Sequence, residues 1–141
     1  MSNCIVHSIC VAQERGQLKK EISQANIIEN TGIEGDGHCG DWGRQVTCLN
    51  WESVLKSNQE NNLSMGPGDF AENICIEHMD GLNLQEGDRF QLGSSEVLEV
   101  TQIGKQDHLS VVTKTFGVIC LLYTSLRFMK KISLWILFFL S

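Results

Sequence analysis

The amino-acid sequence predicts a mainly β protein, a small closed or partly closed β-barrel with one or two short helices. Turn signals recur at short intervals between short apolar segments, and only one segment shows convincing helical spacing. A parallel sheet of βαβ units would instead need strands that alternate with helices. The chain has 141 residues, 42% of them hydrophobic, which is enough for one domain with a buried core.

The first predicted elements are two extended segments. Cys4 to Val11 is short and apolar, and the residues that follow it at 14–17 are typical of a turn. A second extended run contains Ile22, Ile27 and Ile28. Both segments precede a loop at 32–46 with five glycines in fifteen residues, a composition typical of tight turns or of close backbone approach to a ligand.

A strand and the predicted helix follow the glycine loop. Residues 45–49 are strand-like, and Asn50 is well suited to cap a helix that begins after it. Trp51, Val54 and Leu55 lie on one side of that helix at helical spacing, so we expect them to pack in the core. The polar run at 57–62 is expected to end the helix.

The second half of the sequence alternates turns with short strands. Met65-Gly66-Pro67-Gly68 predicts a chain reversal, because proline fixes one backbone angle and glycine permits the others. Strands are predicted at 73–77, 89–92 and 96–102, with turns at 86–88 and 93–95 between them. This spacing favours antiparallel pairing.

Charge and cysteine content exclude some classes of protein. The formal net charge of −6 and the pI near 5.1 argue against nucleic-acid binding, which needs clustered lysines and arginines. The six cysteines lack the spacing of a disulfide-stapled miniprotein, and no signal segment opens the chain. We therefore expect reduced thiols in a cytoplasmic protein.

The glycine loop also contains the side chains of an anion site. Asp36, His38 and Arg44 lie within nine residues, and Glu72-Asn73 follows the second glycine turn. Glycine amides and a guanidinium can hold phosphate, while an imidazole adds a donor that titrates near neutral pH. The alternative is structural: Asp36 pairs with Arg44, and His38 caps backbone groups.

An ordered set of motifs resembles the MOSC domain, the module at the C-terminus of molybdenum-cofactor sulfurases. The resemblance covers residues 4 to about 108 and implies a compact β-barrel that binds the molybdenum cofactor, works with its enzymes, or takes part in sulfur transfer. The family is also associated with pyridoxal phosphate. The motifs are Gly-Ile-Glu-Gly-Asp-Gly-His at 32–38, Arg-Gln-Val at 44–46, Pro-Gly-Asp-Phe-Ala-Glu-Asn at 67–73, Gly-Asp-Arg-Phe at 87–90, Leu-Gly at 92–93 and Leu-Glu-Val-Thr-Gln at 98–102.

The resemblance implies a set of cofactor-binding residues. We expect Arg44 to hold an anionic group, with His38 and Asn73 donating hydrogen bonds at the mouth of the pocket. Asp36 and Glu72 are expected to orient loops, because a carboxylate that faced a phosphate would be repelled. The positions that match the family's motifs are Gly35, Asp36, His38, Arg44, Glu72 and Asn73.

The sequence departs from the family at the residue expected to carry sulfur. Members commonly have a cysteine after an Ile-Gly-Lys segment, whereas Asp107 aligns there in this chain. Cys39 is a substitute if a neighbouring cation lowers the pKa of its thiol, and the alternative is a buried, inert cysteine. The identity of any catalytic or metal-binding residue is left unknown.

A structural zinc site is not expected. Cys75 and His78 are three residues apart, and His38-Cys39 lies upstream, but the chain has no Cys-x2-Cys pair. Structural zinc sites usually show such paired spacing.

The chain divides into a domain at 1–115 and an atypical hydrophobic tail at 116–141. Its apolar run from Ile132 to Leu140 has nine residues, whereas a membrane-spanning helix needs about 20. An alternative is that the tail binds weakly at a membrane surface, with Lys130 and Lys131 facing anionic lipid headgroups. The tail does not resemble the family's ending, which favours foreign or truncated sequence.

Besides cofactor binding, the sequence leaves two other functions open. One is a non-catalytic module that binds a phosphate ligand or a protein, and the other is an inactive truncated product.

Overall fold

The computed structural model of the protein describes residues 4–41, 45–79, 82–92 and 96–103, together with the strands at 124–129 and 139–140. Arg44, the turn predicted at 93–95, Asp107 and most of the tail lie outside the described residues. The elements in chain order are β1 (Ile5–Val11), β2 (Lys20–Ile22), β3 (Ile27–Ile28), β4 (Gly32–Ile33), β5 (Val46–Asn50), α1 (Trp51–Asn61), β6 (Ile74–Glu77), β7 (Arg89–Leu92), β8 (Glu96–Ile103), β9 (Thr124–Met129) and β10 (Phe139–Leu140).

The strands form an eight-stranded sheet in the order β10-β7-β8-β9-β5-β6-β1-β2, while β3 and β4 form a separate antiparallel pair. Most pairings are antiparallel, as predicted; β5–β6 and β10–β7 are parallel. The parallel β5–β6 pair is possible because α1 forms the crossover between the two strands. The prediction of a mainly β fold with a short helix is confirmed. Among the described strands no pairing joins β2 to β10, so the sheet does not close into a barrel.

Helix α1 begins and ends where the sequence predicts. Asn50 is the N-cap, and its side chain accepts a hydrogen bond of 3.2 Å from the Glu52 amide. The helix continues to Asn61 and ends at Asn62 in the left-handed conformation. Val54 is buried as expected, but the prediction for Leu55 is wrong, because this side chain is 50% exposed. One helical position turns the chain by about 100° and carries Leu55 off the buried face.

The core consists of two clusters on opposite sides of β5 and β6. Side chains alternate along a strand, so Ile74 and Ile76 contact one cluster and Cys75 contacts the other. The second cluster contains Val54 of α1 and Phe70 from the turn before β6. This packing fixes the segment 65–73 beneath the helix.

Strand β9 places part of the predicted tail inside the sheet. It pairs with β5 through Val46↔Leu126 and with β8 through Leu98↔Phe128. The boundary predicted at 115/116 stays a prediction. The part of the chain that the structure describes has no helix long and apolar enough to cross a membrane.

Candidate functional site

Three loops meet at one end of the fold and form what we call the three-loop site: residues 12–19 between β1 and β2, residues 34–41, and residues 66–73 before β6. The amide of Gly37 donates to the carbonyl of Ala12 at 2.7 Å, and the amide of Lys19 donates to that of Gly68 at 3.1 Å. A Cβ on Gly37 would lie 2.6 Å from the carbonyl carbon of Glu14. The two glycine turns therefore hold the 12–19 loop from both sides.

A buried ion pair lies at the centre of the three-loop site. The Nζ atom of Lys19 is 2.6 Å from Oδ1 of Asp36, and the two side chains are 1% and 0% exposed. Oδ1 also accepts a hydrogen bond from the Ala12 amide, and Oδ2 accepts one from the His38 amide, both at 3.1 Å. The described partner of Asp36 is therefore Lys19. The pairing with Arg44, which the sequence left open as a structural alternative, concerns a residue outside the described ranges.

The charges of this pair follow from burial and hydrogen bonding. Burial alone would raise the pKa of Asp36, but hydrogen bonds from His38, Lys19 and the Ala12 amide hold it well below its usual value. Burial lowers the pKa of Lys19, and the adjacent carboxylate of Asp36 opposes that shift. An ionised Asp36 thus requires the ammonium form of Lys19 at neutral pH.

Sequence reasoning missed Lys19. It stands beside Lys20 in a polar run, and Lys20 is exposed while Lys19 is buried. No periodicity in this run separates the two lysines. Lys19 is buried and Lys20 is exposed because residues 12–19 dock between two glycine turns. That docking brings together residues that are far apart in the sequence.

His38 lies at the partly exposed edge of the ion pair. Its side chain is 24% exposed, and its Nδ1 atom is 3.2 Å from Nζ of Lys19 and 3.7 Å from Oδ2 of Asp36. Gly35 supplies the turn that precedes it, with a φ of +82°. The structure therefore brings Gly35, Asp36 and His38 together as the sequence predicted.

Asn73 is fully buried and links three segments of the fold. Its Nδ2 donates to the carbonyl of Cys10 at 3.0 Å, and its Oδ1 accepts from the amide of Thr47 at 3.1 Å. Both ends of the side chain are thus engaged between β1 and β5. Its predicted contact with a cofactor stays a prediction.

Glu72 is also fully buried and organises the turn at 66–73. Its Oε1 accepts hydrogen bonds from the Gly68 amide at 2.5 Å and from the Cys75 thiol at 3.5 Å. Its Oε2 is buried and has no hydrogen-bond partner in the described part of the chain. Burial raises the pKa of Glu72 above its usual value of 4.5, although the hydrogen bond from the Gly68 amide lowers it. The predicted role in orienting a loop agrees with these contacts.

We expect Glu72→Gln to change how folding stability depends on pH. A carboxyl whose pKa is raised by folding binds its proton more tightly in the native state than in the unfolded chain. Its contribution to folding stability is therefore fully present below pH 4.5, and it is lost as pH rises through the raised native pKa. Glutamine mimics the protonated form and removes this loss. In urea unfolding between pH 4 and pH 8, the variant should gain stability relative to the wild-type protein as pH rises; a constant difference would contradict the raised pKa.

The thiol of Cys39 does not have the environment that favours thiolate. Burial raises its pKa, and the carboxylates of Asp36 and Glu34 raise it further. The nearby ammonium of Lys19 is engaged with Asp36. The expectation that a neighbouring cation lowers the pKa of Cys39 is therefore not supported, while Asp107, the other candidate position, lies outside the described residues.

A second polar cluster lies at the opposite end of β6. Nδ1 of His7 is 2.6 Å from Oε1 of Glu77, and the His7 ring stacks on Trp51 with centroids 4.0 Å apart. His78 lies near Glu77 and donates its amide to Glu52. Sequence reasoning found no partner for His7 or Glu77, because 70 residues separate them.

The zinc candidates do not converge. The thiol of Cys75 donates to Glu72, whereas the imidazole of His78 lies beside Glu52 and Glu77. Within residues 4–41, 45–79, 82–92 and 96–103, no three histidine, cysteine or acidic side chains form a group that could hold a metal ion.

Comparison with known proteins gives a family and a fold. A model of the MOSC domain matches residues 34–104, half of the chain, and this range includes Asp36, His38, Glu72 and Asn73. No curated protein sequence matches the chain.

Solved structures that are similar to this one include the following three. YiiM from Geobacillus stearothermophilus has 13% sequence identity and a TM-score of 0.67, over 91% of this chain and 69% of that chain. The YuaD protein from Bacillus subtilis has 14% identity and a TM-score of 0.64, over 93% of this chain and 94% of that chain. YiiM from Escherichia coli has 19% identity and a TM-score of 0.51, over 92% of this chain and 72% of that chain. At these identities the similarity establishes the fold.

Proposed function

The chain belongs to the MOSC domain family, and from this premise we propose that it binds the molybdenum cofactor, with the three-loop site holding the phosphate of the pterin. Gly35, Asp36 and His38 match the family's first motif and lie together in this site. Arg44, which follows that motif in sequence, is proposed as the cation that contacts the anion. The partners implied are the cofactor and the enzymes that use it.

The neutralisation of Asp36 is the observation that carries this proposal. A bare carboxylate in the loop would repel a phosphate, but Lys19 pairs with Asp36 at 2.6 Å, and both side chains are buried. The pair leaves no net charge beneath the loop. An oxyanion at its edge would then meet the partly exposed imidazole of His38, a group that suits phosphate.

The role proposed for the chain's own residues is to hold and orient this cofactor. When bound, the cofactor would supply a molybdenum centre for redox or sulfur chemistry. A soft metal centre prefers thiolate ligands, and the pKa of the Cys39 thiol is raised. Holding or delivering the cofactor is therefore better supported than sulfur transfer by the chain itself.

Co-expression with the pterin biosynthetic pathway tests cofactor binding. The purified wild-type protein should release a fluorescent pterin together with molybdenum, and His38→Asn should reduce retention roughly 10-fold, the effect of losing one hydrogen bond to a charged group. His78→Asn is the matched control, because His78 lies at the other end of β6, and it should retain the cofactor. Arg44→Ala should also lower retention, whereas Arg89→Ala, on the exposed face of β7, should not.

A wild-type preparation without pterin or molybdenum would contradict cofactor binding. Pyridoxal phosphate, which carries the same anionic group, is the probe that distinguishes a general phosphate site from a pterin site. Equal loss of pterin in His38→Asn and His78→Asn would remove the three-loop site from the proposal.

The second candidate function is a non-catalytic module that binds a phosphate ligand or a protein. The raised pKa of Cys39 favours it, because a persulfide carrier needs accessible thiolate. The five cysteines in the described ranges form no disulfide, which suits the reducing cytoplasm proposed from the sequence. Labelling with a persulfide-specific reagent separates the candidates: sulfur loaded on Cys39 would contradict a purely passive role.

A further inference from the structure

We propose that the three-loop site is a proton-linked anion site, which holds an oxyanion while Glu72 is neutral and loses affinity for that oxyanion when Glu72 ionises. The inference rests on the proposed function and deepens it, since it states the condition under which the same site holds its anion. The protonation of Glu72 follows from contacts within the protein and is measurable without any ligand.

Three side chains that carry charge in water are buried together in the three-loop site. Within the described ranges, the buried residues with an acidic or basic side chain are Lys19, Asp36 and Glu72. Two are acids and one is a base, so the site is electrically neutral only if one carboxyl keeps its proton. A charge buried without a partner is strongly destabilising, and such a group takes up a proton instead. One of the two carboxyls is therefore expected to be neutral.

The hydrogen bonds of the two carboxyls show which one is ionised. Nζ of Lys19 lies 2.6 Å from Oδ1 of Asp36, and each oxygen of this carboxyl also accepts a backbone amide. Glu72 accepts on Oε1, from the Gly68 amide and the Cys75 thiol, while its buried Oε2 has no hydrogen-bond partner in the described part of the chain. Hydrogen-bond donors stabilise the ionised form of a carboxyl. The ammonium thus compensates Asp36, and the proton stays on Glu72.

The groups around Glu72 are consistent with a neutral carboxyl. The charge of Glu72 acts on Lys19, but this ammonium is already in contact with Asp36. In the same turn, Asp69 accepts the Gly66 amide at 2.8 Å. Burial raises the pKa of three neighbouring thiols, those of Cys10 in β1, Cys48 in β5 and Cys75 in β6. Burial raises the pKa of Glu72 for the same reason.

Ionisation of Glu72 would add a second negative charge beneath the anion site. Oε1 of Glu72 holds the Gly68 amide, and the Gly68 carbonyl accepts from the Lys19 amide. Nζ of the same lysine lies 3.2 Å from Nδ1 of His38, the side chain proposed to meet the anion. Like charges repel strongly where water is excluded, so the ionised carboxyl weakens anion binding. Affinity is therefore highest below the raised pKa of Glu72 and falls as pH rises through it.

Sulfate binding to the full chain between pH 5 and pH 9 tests this link, because sulfate keeps the same charge over that range. The affinity of the wild-type protein should fall roughly 10-fold across the transition, a size typical of coupling between two sites. Glu72→Gln should remove the fall, since glutamine has the shape of the neutral carboxyl and can accept the Gly68 amide. Glu77→Gln, at the opposite end of β6, is the matched control and should keep the wild-type pH dependence. Equal pH dependence in the wild-type protein and Glu72→Gln would overturn the proposal.

The carboxyl 13C signal of Glu72, assigned through its side-chain correlations, measures ionisation in the wild-type protein without a ligand. Its midpoint should lie well above pH 4.5 and coincide with the pH at which sulfate affinity falls, a comparison that decides even if Glu72→Gln does not fold. A midpoint near 4.5 would overturn the proton link whether or not the protein binds pterin. Pterin retained equally at pH 6 and pH 9 would also overturn it and leave the proposed function intact. A protein that binds neither sulfate nor pterin at any pH would contradict both.

Discussion

Gly68→Ala is expected to lower the free energy of unfolding by about 3 kcal/mol, from steric overlap and backbone strain together. Gly68 has a φ of +84°, a conformation that costs an alanine about 1 kcal/mol. Its added Cβ would also overlap the carbonyl oxygen of Lys19 and lie 2.7 Å from the carbonyl carbon. These are backbone atoms of a loop that is held on both sides, so they cannot rotate away as a flexible side chain would.

Gly87→Ala separates the two causes of this loss. Gly87 has a similar φ of +91°, but a Cβ there has no other atom within 4 Å. This control should therefore lose only about 1 kcal/mol, from backbone strain alone. Urea unfolding of both variants at pH 7 measures the difference. Equal losses would show that Gly68 and Lys19 are not packed as closely as the structure has them.

Most of the fold was predictable because local sequence determines it. Gly and Pro mark the turns, and Asn50 caps the helix at the expected position. The strands predicted at 73–77, 89–92 and 96–102 differ from the observed ones by no more than a residue at either end. The openness of the sheet was not predictable, because closure depends on pairing between strands that are distant in sequence.

The sequence predicted two of the loops that form the three-loop site, but it did not predict the buried ion pair at the centre of that site. The motifs containing Asp36, His38 and Glu72 identified which loops matter. Lys19, which joins them, has no local signature, since a buried lysine is rare and depends on a partner that only the fold supplies. The pairing of His7 with Glu77 was not predictable for the same reason. Like the pair of Lys19 and Asp36, it joins residues whose spacing in the sequence gives no sign of contact.

Asp36→Asn is expected to lower the free energy of unfolding by about 3–5 kcal/mol at pH 7, because it leaves the ammonium of Lys19 buried without a charged partner. Asparagine keeps the size of the side chain and one acceptor oxygen, so the loss reports mainly on charge. Adding Lys19→Met should recover part of the stability, since the unpaired charge is then absent. Glu99→Gln breaks a pair with Arg89, whose side chain is 58% exposed, and should cost no more than about 1 kcal/mol.

The pH dependence of this loss distinguishes charge pairing from packing. The pKa of Asp36 is lower in the native state than its usual value of 3.8, so the unfolded chain binds a proton that the native protein does not. The stability that Asp36 contributes is therefore present above about pH 4 and is lost as pH falls below that value. The gap between the unfolding free energies of the wild-type protein and Asp36→Asn should narrow as pH is lowered from 5 to 3, and it should continue to narrow below that, because the native pKa of Asp36 lies well below its usual value. A gap of constant size would mean that asparagine disturbs the packing of the three-loop site, and that the buried charge pair contributes little to its stability.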